Sequence, residues 1–204
     1  MSEIKNYDTV IIGGGIGGLM AAFRLRKNAP EMRIAITERG NTLEKRHCPA
    51  GKDKTCVHCK TCSITSGYAG AGAFSDGKFN LGTAYGGTLG EELGDDTANL
   101  YIDEVDKILN QYCTSGIPKV YRSNEELKLK CLQNNLRLLD MNVKHLGTDN
   151  NYLTMQNLIN AIAESGTDLF AFYDCVSVER DGNAYLLRYA NGETLRAQNI
   201  IIAT

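Results

Sequence analysis

The run Gly13-Gly14-Gly15-Ile16-Gly17-Gly18, placed between an apolar stretch and an amphipathic one, constrains this chain more than any other feature. Ahead of it, Thr9-Val10-Ile11-Ile12 is a continuous apolar run of the kind that forms a strand buried on both faces. Behind it, Ile16, Leu19, Met20 and Phe23 recur at helical spacing, Ala21-Ala22 allow close packing, and Pro30 ends the helix. Arg33–Thr37 then reads as a second strand. Strand, helix and strand in so short a span form a βαβ unit with a right-handed crossover. The pattern G-x-G-x-x-G, at positions 13, 15 and 18, falls at the turn from strand to helix. Gly13 permits the tight turn, Gly15 lets the backbone approach a pyrophosphate, and Gly18 lets helix and strand pack closely. The helix N-terminus presents N–H groups and the positive end of its dipole to phosphates. Glu38, at the end of the second strand, can accept hydrogen bonds from a ribose hydroxyl pair and disfavours a 2′-phosphate. A glycine-rich turn with a chance acid would lack this context of strand, helix and carboxylate in register.

Past this unit the organisation changes. Residues 41–94 show no sustained periodicity and read as loop, first cysteine-rich and then glycine-rich. An amphipathic helix follows, with Ala98, Ile102, Val105, Ile108, Leu109 and Tyr112 on one face and Asp96 or Thr97 near its start. Ser123 with Glu126 reads as a capping box for a helix running through Leu127, Leu132 and Leu136. Val143–Leu146 is a short strand, and Thr154 caps a helix carrying Leu158, Ile159 and Ile162. The tail alternates as a β-meander: Leu169–Tyr173, Cys175–Glu179 and Ala184–Tyr189, with Asp181-Gly182 and Asn191-Gly192 as turns. Ile200–Ala203 reads as a final buried strand. A chain that stops inside such a strand leads us to expect the N-terminal part of a longer protein. The expected domains are 1–43 with 151–204, a Rossmann-type α/β unit with a parallel sheet and a meander, and an irregular, partly helical insertion at 44–150.

Of 21 glycines, 14 lie in 13–18 and 67–94, and four of seven cysteines lie between Cys48 and Cys62. The start MSEIKNYDTVIIGGG does not read as a secretory signal, so we expect metal or redox chemistry rather than a disulfide framework. Cys48, Cys56, Cys59 and Cys62 are spaced C-x7-C-x2-C-x2-C. Three cysteines at x2 intervals can wrap an iron–sulfur cluster, with the fourth ligand from a distance. Four thiolates, or three plus His58, could instead hold zinc, and redox-active or unliganded thiols are the remaining reading. Lys45, Arg46, Lys52, Lys54 and Lys60 would offset thiolate charge. Cys113, Cys131 and Cys175 read as buried small hydrophobes. A net charge of −2 gives no argument for nucleic acid or a membrane surface as partner, and no run of about 18 apolar residues occurs. The expected location is cytoplasmic.

Glu38-Arg39 at the end of the second strand, the meander, and Ile200-Ile201-Ile202-Ala203-Thr204 together resemble the flavoprotein oxidoreductases with a glutathione-reductase type of FAD domain. Gly70-Ala71-Gly72-Ala73-Phe74-Ser75-Asp76-Gly77-Lys78, with His145-Leu146-Gly147-Thr148-Asp149 downstream, narrows the likeness to bacterial FAD-dependent dehydrogenases, over essentially the whole chain. The resemblance implies FAD rather than NAD at the dinucleotide site, hydride transfer between a small-molecule substrate and flavin, and a redox partner or NAD(P)H as the other electron carrier. It implies cofactor contacts from Gly13, Gly15, Gly18, Glu38, Arg39 and Thr204, and from the backbone at Val176 beside the adenine. The side-chain-poor loop with Gly72, Ala73 and Ser75 offers a surface for a flat ring. Lys78 is the candidate cation for reduced flavin, and His145 a candidate acid–base group.

Overall fold

The protein is described by a computed structural model over residues 4–51, 55–139 and 141–204; Lys52 and Lys54 lie outside them. Its elements in chain order are β1 (Lys5–Ile12), α1 (Ile16–Asn28), β2 (Ile34–Glu38), β3 (Lys78–Leu81), α2 (Leu89–Leu93), α3 (Asp95–Gln111), β4 (Val120–Tyr121), α4 (Glu125–Gln133), β5 (Asn142–His145), α5 (Thr148–Glu164), β6 (Asp168–Ala171), β7 (Cys175–Asp181), β8 (Ala184–Tyr189) and β9 (Thr194–Ile202). Short 3-10 turns occupy Leu43–Lys45 and Ala71–Phe74. Two compact units result: residues up to Phe74 together with Met155–Thr204, and Ser75–Thr154. The first unit thus runs on through the cysteine-rich stretch to Phe74. Residues 66–70 are held to β2 and the glycine turn, with Tyr68 donating from its hydroxyl to the Ile36 carbonyl and Ala69 N–H donating to Gly14 O.

The first unit is an α/β fold on a six-stranded sheet ordered β6-β2-β1-β9-β8-β7. Strands β6, β2, β1 and β9 run parallel, and β9, β8 and β7 form an antiparallel meander. Every residue of β2 is buried, as the apolar run demands of a central parallel strand. Val10, Ile11, Leu19, Ala22, Ile36 and Leu158 are fully buried and form the centre of the core. Tyr7, Phe170, Tyr173 and Tyr189 pack ring to ring along the sheet, with Phe170 and Tyr173 stacked at 4.7 Å.

Strand β9 corrects one expectation. It starts earlier than the apolar run suggested, and its end is not buried: Ile200 and Ile201 are partly covered and Ile202 is 68% exposed. Leu195–Ala197 pairs with both β1 and β8, whereas Asn199–Ile202 pairs with β1 alone, which leaves that edge open. Helix α5 also begins sooner, at Thr148, so Thr154 does not cap it. The Thr154 hydroxyl donates instead to the Asn150 carbonyl one turn back, a bond that Ser and Thr make inside helices.

The second unit holds the antiparallel sheet β3-β5-β4 with α2, α3 and α4. Helix α3 turns Ala98 and Leu109 inward and starts after Gly94, whose φ of +80° breaks the chain from α2. On β5, Lys144 is buried and donates to Asp106 and to the Asn110 side-chain carbonyl of α3. Helix α4 is capped by Asn124, one residue past the expected Ser123, through its side-chain oxygen and the Leu127 N–H at 2.6 Å. It ends at Gln133 rather than Leu136. Asn135 takes a left-handed φ of +56°, and Leu136 N–H and Asn135 N–H close back onto Cys131 O and Leu132 O. This is the Schellman arrangement. Leu127, Leu129, Leu132 and Leu136 are exposed, so the apolar positions that marked this helix do not mark a buried face. No helix among the described residues is long and apolar enough to cross a membrane.

Candidate dinucleotide site

The site forms where β1 turns into α1. Gly13 has a φ of +108°, and a Cβ there would run into the Ala203 carbonyl. Ala203 N–H in turn donates to Ile12 O at 2.8 Å, which fixes the end of β9 beside the turn. A Cβ on Gly18 would overlap Gly13 O, so helix and turn are in direct contact there. Gly15 differs from both. Its backbone is extended, and a Cβ built on it meets nothing within 4 Å. The missing side chain leaves space for something other than this chain. As N-cap of α1, Gly15 offers no side-chain oxygen, and the first turn holds no acidic residue, so the helix start carries no negative charge of its own and suits an anion.

A cavity of about 430 Å3 opens on this turn. Gly13, Gly15, Glu38, Arg39, Thr65, Ser66, Gly67, Gly70, Tyr173, Asp174, Cys175, Ala203 and Thr204 are among the residues that line it. Its size lies within the roughly 300–1,000 Å3 usual for small-molecule sites. Glu38 is 7% exposed, and its carboxylate accepts three backbone N–H bonds: Gly14 at 2.8 Å on Oε2, and Gly40 and Gly67 at 2.9 Å on Oε1. The residue thus ties the phosphate turn, the end of β2 and the loop at residue 67 together. A carboxylate has about four acceptor positions, so Oε2, which takes one of these bonds, has one to spare. Arg39 is exposed at the rim, where Nε and Nη2 donate to the Ser66 hydroxyl at 3.1 and 2.9 Å.

Of the glycine-rich loop, the early part walls the cavity. Gly67 and Gly70 line it, whereas Gly72 is turned outward and Ala73 is fully buried in the 3-10 turn. Neither Gly72, Ala73 nor Val176 is among the lining residues; Cys175, just before Val176, is. The Val176 side chain is 63% exposed. Cys113, Cys131 and Cys175 are half-buried rather than buried, and burial pushes the Cys175 thiol up.

The loop owes its shape to Arg46, a residue the sequence offered only as one cation beside the cysteines. Arg46 is 6% exposed and donates to the carbonyls of Ser63, Ile64, Tyr68 and Gly70, with its guanidinium 4.6 Å from the Phe74 ring centre. Burial works against its charge, and the nearby Glu38 carboxylate works for it. No periodic pattern announces such an arginine, because its partners are main-chain atoms.

Ser75, Lys78 and His145 belong to the second unit. Ser75 accepts from Gly77 N–H, Lys78 pairs with Asp76 at 2.6 Å, and Lys78 lies directly across from His145 in the β3–β5 register. The Lys78 hydrogen bond holds the Asp76 carboxyl below its ordinary value. All seven cysteines carry free thiols. Cys56, Cys59 and Cys62 are exposed and Cys48 is half-buried. Among the described residues no three Cys, His, Asp or Glu side chains converge on a metal-holding point. Thiolate clusters close around their metal, since like charges do not gather without it. The backbone N–H groups of Ile64 and Thr65 pull the Cys62 thiol down.

The family profile of the pyridine nucleotide-disulphide oxidoreductases matches residues 7–204. No curated protein matches the chain by sequence. Among solved structures it is similar to NikD, an unusual amino acid oxidase essential for nikkomycin biosynthesis, at 15% identity and a TM-score of 0.55, covering 98% of this chain and 51% of that one. Glycine oxidase from Geobacillus kaustophilus gives 16% identity and a TM-score of 0.55, over 98% of this chain and 55% of the oxidase. The 3-ketosteroid-delta4-(5alpha)-dehydrogenase from Rhodococcus jostii RHA1 gives 14% and 0.57, over 100% and 47%. These identities speak for a shared fold, and the chain spans about half the length of each. With the strand–turn–helix site in place and the profile matched from Tyr7 to Thr204, the chain belongs to the pyridine nucleotide-disulphide oxidoreductase family, an FAD-dependent oxidoreductase family.

Proposed function

We propose that the chain forms the FAD-binding part of a flavoprotein dehydrogenase that moves a hydride between a small organic molecule and the flavin. The observation that carries this reading is the cavity itself, open above Gly15 and walled by Glu38, Gly67 and Thr204. Bound FAD would supply the hydride-accepting ring. The chain's own residues then do the following. The turn at Gly13–Gly15 and the start of α1 hold the pyrophosphate, the free Oε2 position of Glu38 orients the ribose, and Gly67 and Gly70 allow close approach along the loop. Lys78 and His145 are the proposed charge-stabilising and acid–base groups, and NAD(P)H or a redox protein the second electron carrier. The resemblance to bacterial FAD-dependent dehydrogenases supports this reading and a cytoplasmic location, with no nucleic-acid or membrane partner.

The spacing of Cys48, Cys56, Cys59 and Cys62 supports a soft-metal site, iron–sulfur or zinc, that assembles with its metal; no electron-transfer step is assigned to it. The test is to mix the purified chain with FAD or NAD⁺ and measure binding by calorimetry and by the visible absorbance of the separated protein. Stoichiometric FAD uptake with much weaker NAD⁺ binding is expected. Tight NAD⁺ binding without FAD would overturn the reading. FAD uptake without reduction by any pyridine nucleotide or amine tested would leave a flavin-binding module rather than an enzyme.

A further inference from the structure

A second cavity, of about 320 Å3, opens in the first unit, lined from α5, β6, the 3-10 turn at Leu43–Lys45 and Tyr68. It shares no lining residue with the dinucleotide cavity. Leu43, Tyr68 and Ile159 of its wall are buried, whereas Glu44, Asn160 and Ala163 are exposed. The space therefore runs from the surface down to the core. Its volume falls within the range of small-molecule sites.

One polar atom of this wall is left over. Gln156 of α5, a lining residue, donates from Nε2 to the Asn160 side-chain oxygen at 2.9 Å. Its Oε1 is buried and accepts no hydrogen bond among the described residues. The other hydroxyls of the wall are engaged: Thr42 donates to Glu44 at 2.8 Å, and Tyr68 to the carbonyls of Ile36 and Phe170. A buried oxygen without a donor costs more than an ordinary hydrogen bond returns, and nearly all such atoms in native proteins are paired. Water is a poor remedy here. An ordered buried water needs about two to four polar partners, and Leu43, Ile159 and Leu169 offer none. The occupant that suits this wall has an apolar body for those three side chains and one N–H or O–H for Gln156.

We propose that this cavity is a binding site for a small apolar molecule with a single hydrogen-bond donor, which Gln156 accepts. The site goes beyond the flavin reading and does not depend on it. Tyr68 gives it a bearing on the rest of the unit, because a Cβ on Gly14 of the glycine turn would run into the Tyr68 ring. An occupant of the cavity rests on the same side chain that backs that turn.

Indole and 1-methylindole serve as probes, since they share a ring system and only indole carries the N–H. Their binding is measured by calorimetry, with melting temperature alongside, for the unsubstituted chain, Gln156→Leu and Ala163→Trp. Indole should bind the unsubstituted chain about tenfold more tightly than 1-methylindole. Gln156→Leu should bind the two within about twofold of each other and melt no lower, because the unpaired oxygen is gone. Ala163→Trp, at the exposed end, should keep its melting temperature and bind neither. Failure of the unsubstituted chain to bind indole, equal affinity for the two probes, or a preference that survives Gln156→Leu would each overturn the proposal. So would indole binding that persists in Ala163→Trp, which would place the probe elsewhere. Should either variant not fold, amide shifts induced by indole in the unsubstituted chain decide: shifts centred on Leu43, Tyr68 and Ile159 support the site, and shifts centred elsewhere overturn it.

Discussion

The Glu38 carboxylate accepts a hydrogen bond from the Gly67 backbone N–H at 2.9 Å, so the end of β2 and a loop 29 residues further on share one buried charge. Gly14 and Gly40 complete its coordination by the main chain. Glu38→Gln places an amide NH2 against at least one of these donors. The expected loss is about 2–3 kcal/mol of unfolding free energy, because buried N–H groups are left without acceptors. Urea denaturation measures it, and FAD affinity should fall in the same variant.

Gly15 and Gly13 should respond in opposite ways. Gly15→Ala meets open space in extended backbone, so stability should change by no more than about 0.5 kcal/mol while dinucleotide affinity falls sharply. Gly13→Ala combines a left-handed φ with a clash against the Ala203 carbonyl, and should destabilise by about 2–4 kcal/mol. Paired calorimetry and denaturation curves separate the two roles.

Arg46 donates to the carbonyls of Ser63, Ile64, Tyr68 and Gly70. Arg46→Lys keeps the charge but not the planar fork, and should lower stability by about 2 kcal/mol. Hydrogen exchange should quicken over residues 62–70, with little change in β8.

In the second unit the buried Lys144–Asp106 pair predicts non-additive substitutions. Lys144→Met or Asp106→Leu alone strands a buried charge and should lower stability by about 3–5 kcal/mol. The double variant should recover most of that loss in a denaturation cycle.

Burial pushes the hydroxyl pKa of Tyr68 well above its ordinary 10.0, and that of Tyr7 and Tyr189 likewise. A raised folded-state value means the native chain keeps protons that the unfolded chain releases. Stability from these residues is therefore complete below pH 10 and declines above it, by up to about 1.4 kcal/mol per pH unit for Tyr68 alone. Denaturation midpoints taken from neutral to alkaline pH, with tyrosinate absorbance as second probe, check the sign.

The parts of this fold visible in the sequence are those fixed by local patterns. The glycine turn, α1, β2 and β8 fall where periodicity and turn residues place them, because each is a continuous segment whose burial repeats along itself. Strand β3 leaves no signature in the sequence, since Lys78–Leu81 is four residues long and sits in a glycine-rich stretch. The start of α5 is masked by Thr154, which looks like a cap although a threonine can satisfy its hydroxyl inside a helix. Gly13, Gly15 and Glu38, read from the motif, and Arg39 and Thr204, read from the resemblance, line the cavity. The places of Arg46 and Gly67 are not legible in the sequence, since they depend on main-chain positions that no spacing rule encodes.

The position of β9 has a consequence for how the chain reaches its fold. One neighbour of β1 is β2, which follows it after a single helix. Its other neighbour is β9, where Lys5 pairs opposite Leu195 and Ile12 opposite Ile202. One edge of β1 therefore stays open until a strand far along the chain reaches it, its apolar Thr9–Ile12 stretch exposed to wrong partners. Such long-range parallel pairing makes folding slow. Completion of the cavity, which needs Ala203 beside Gly13, is tied to that slow pairing.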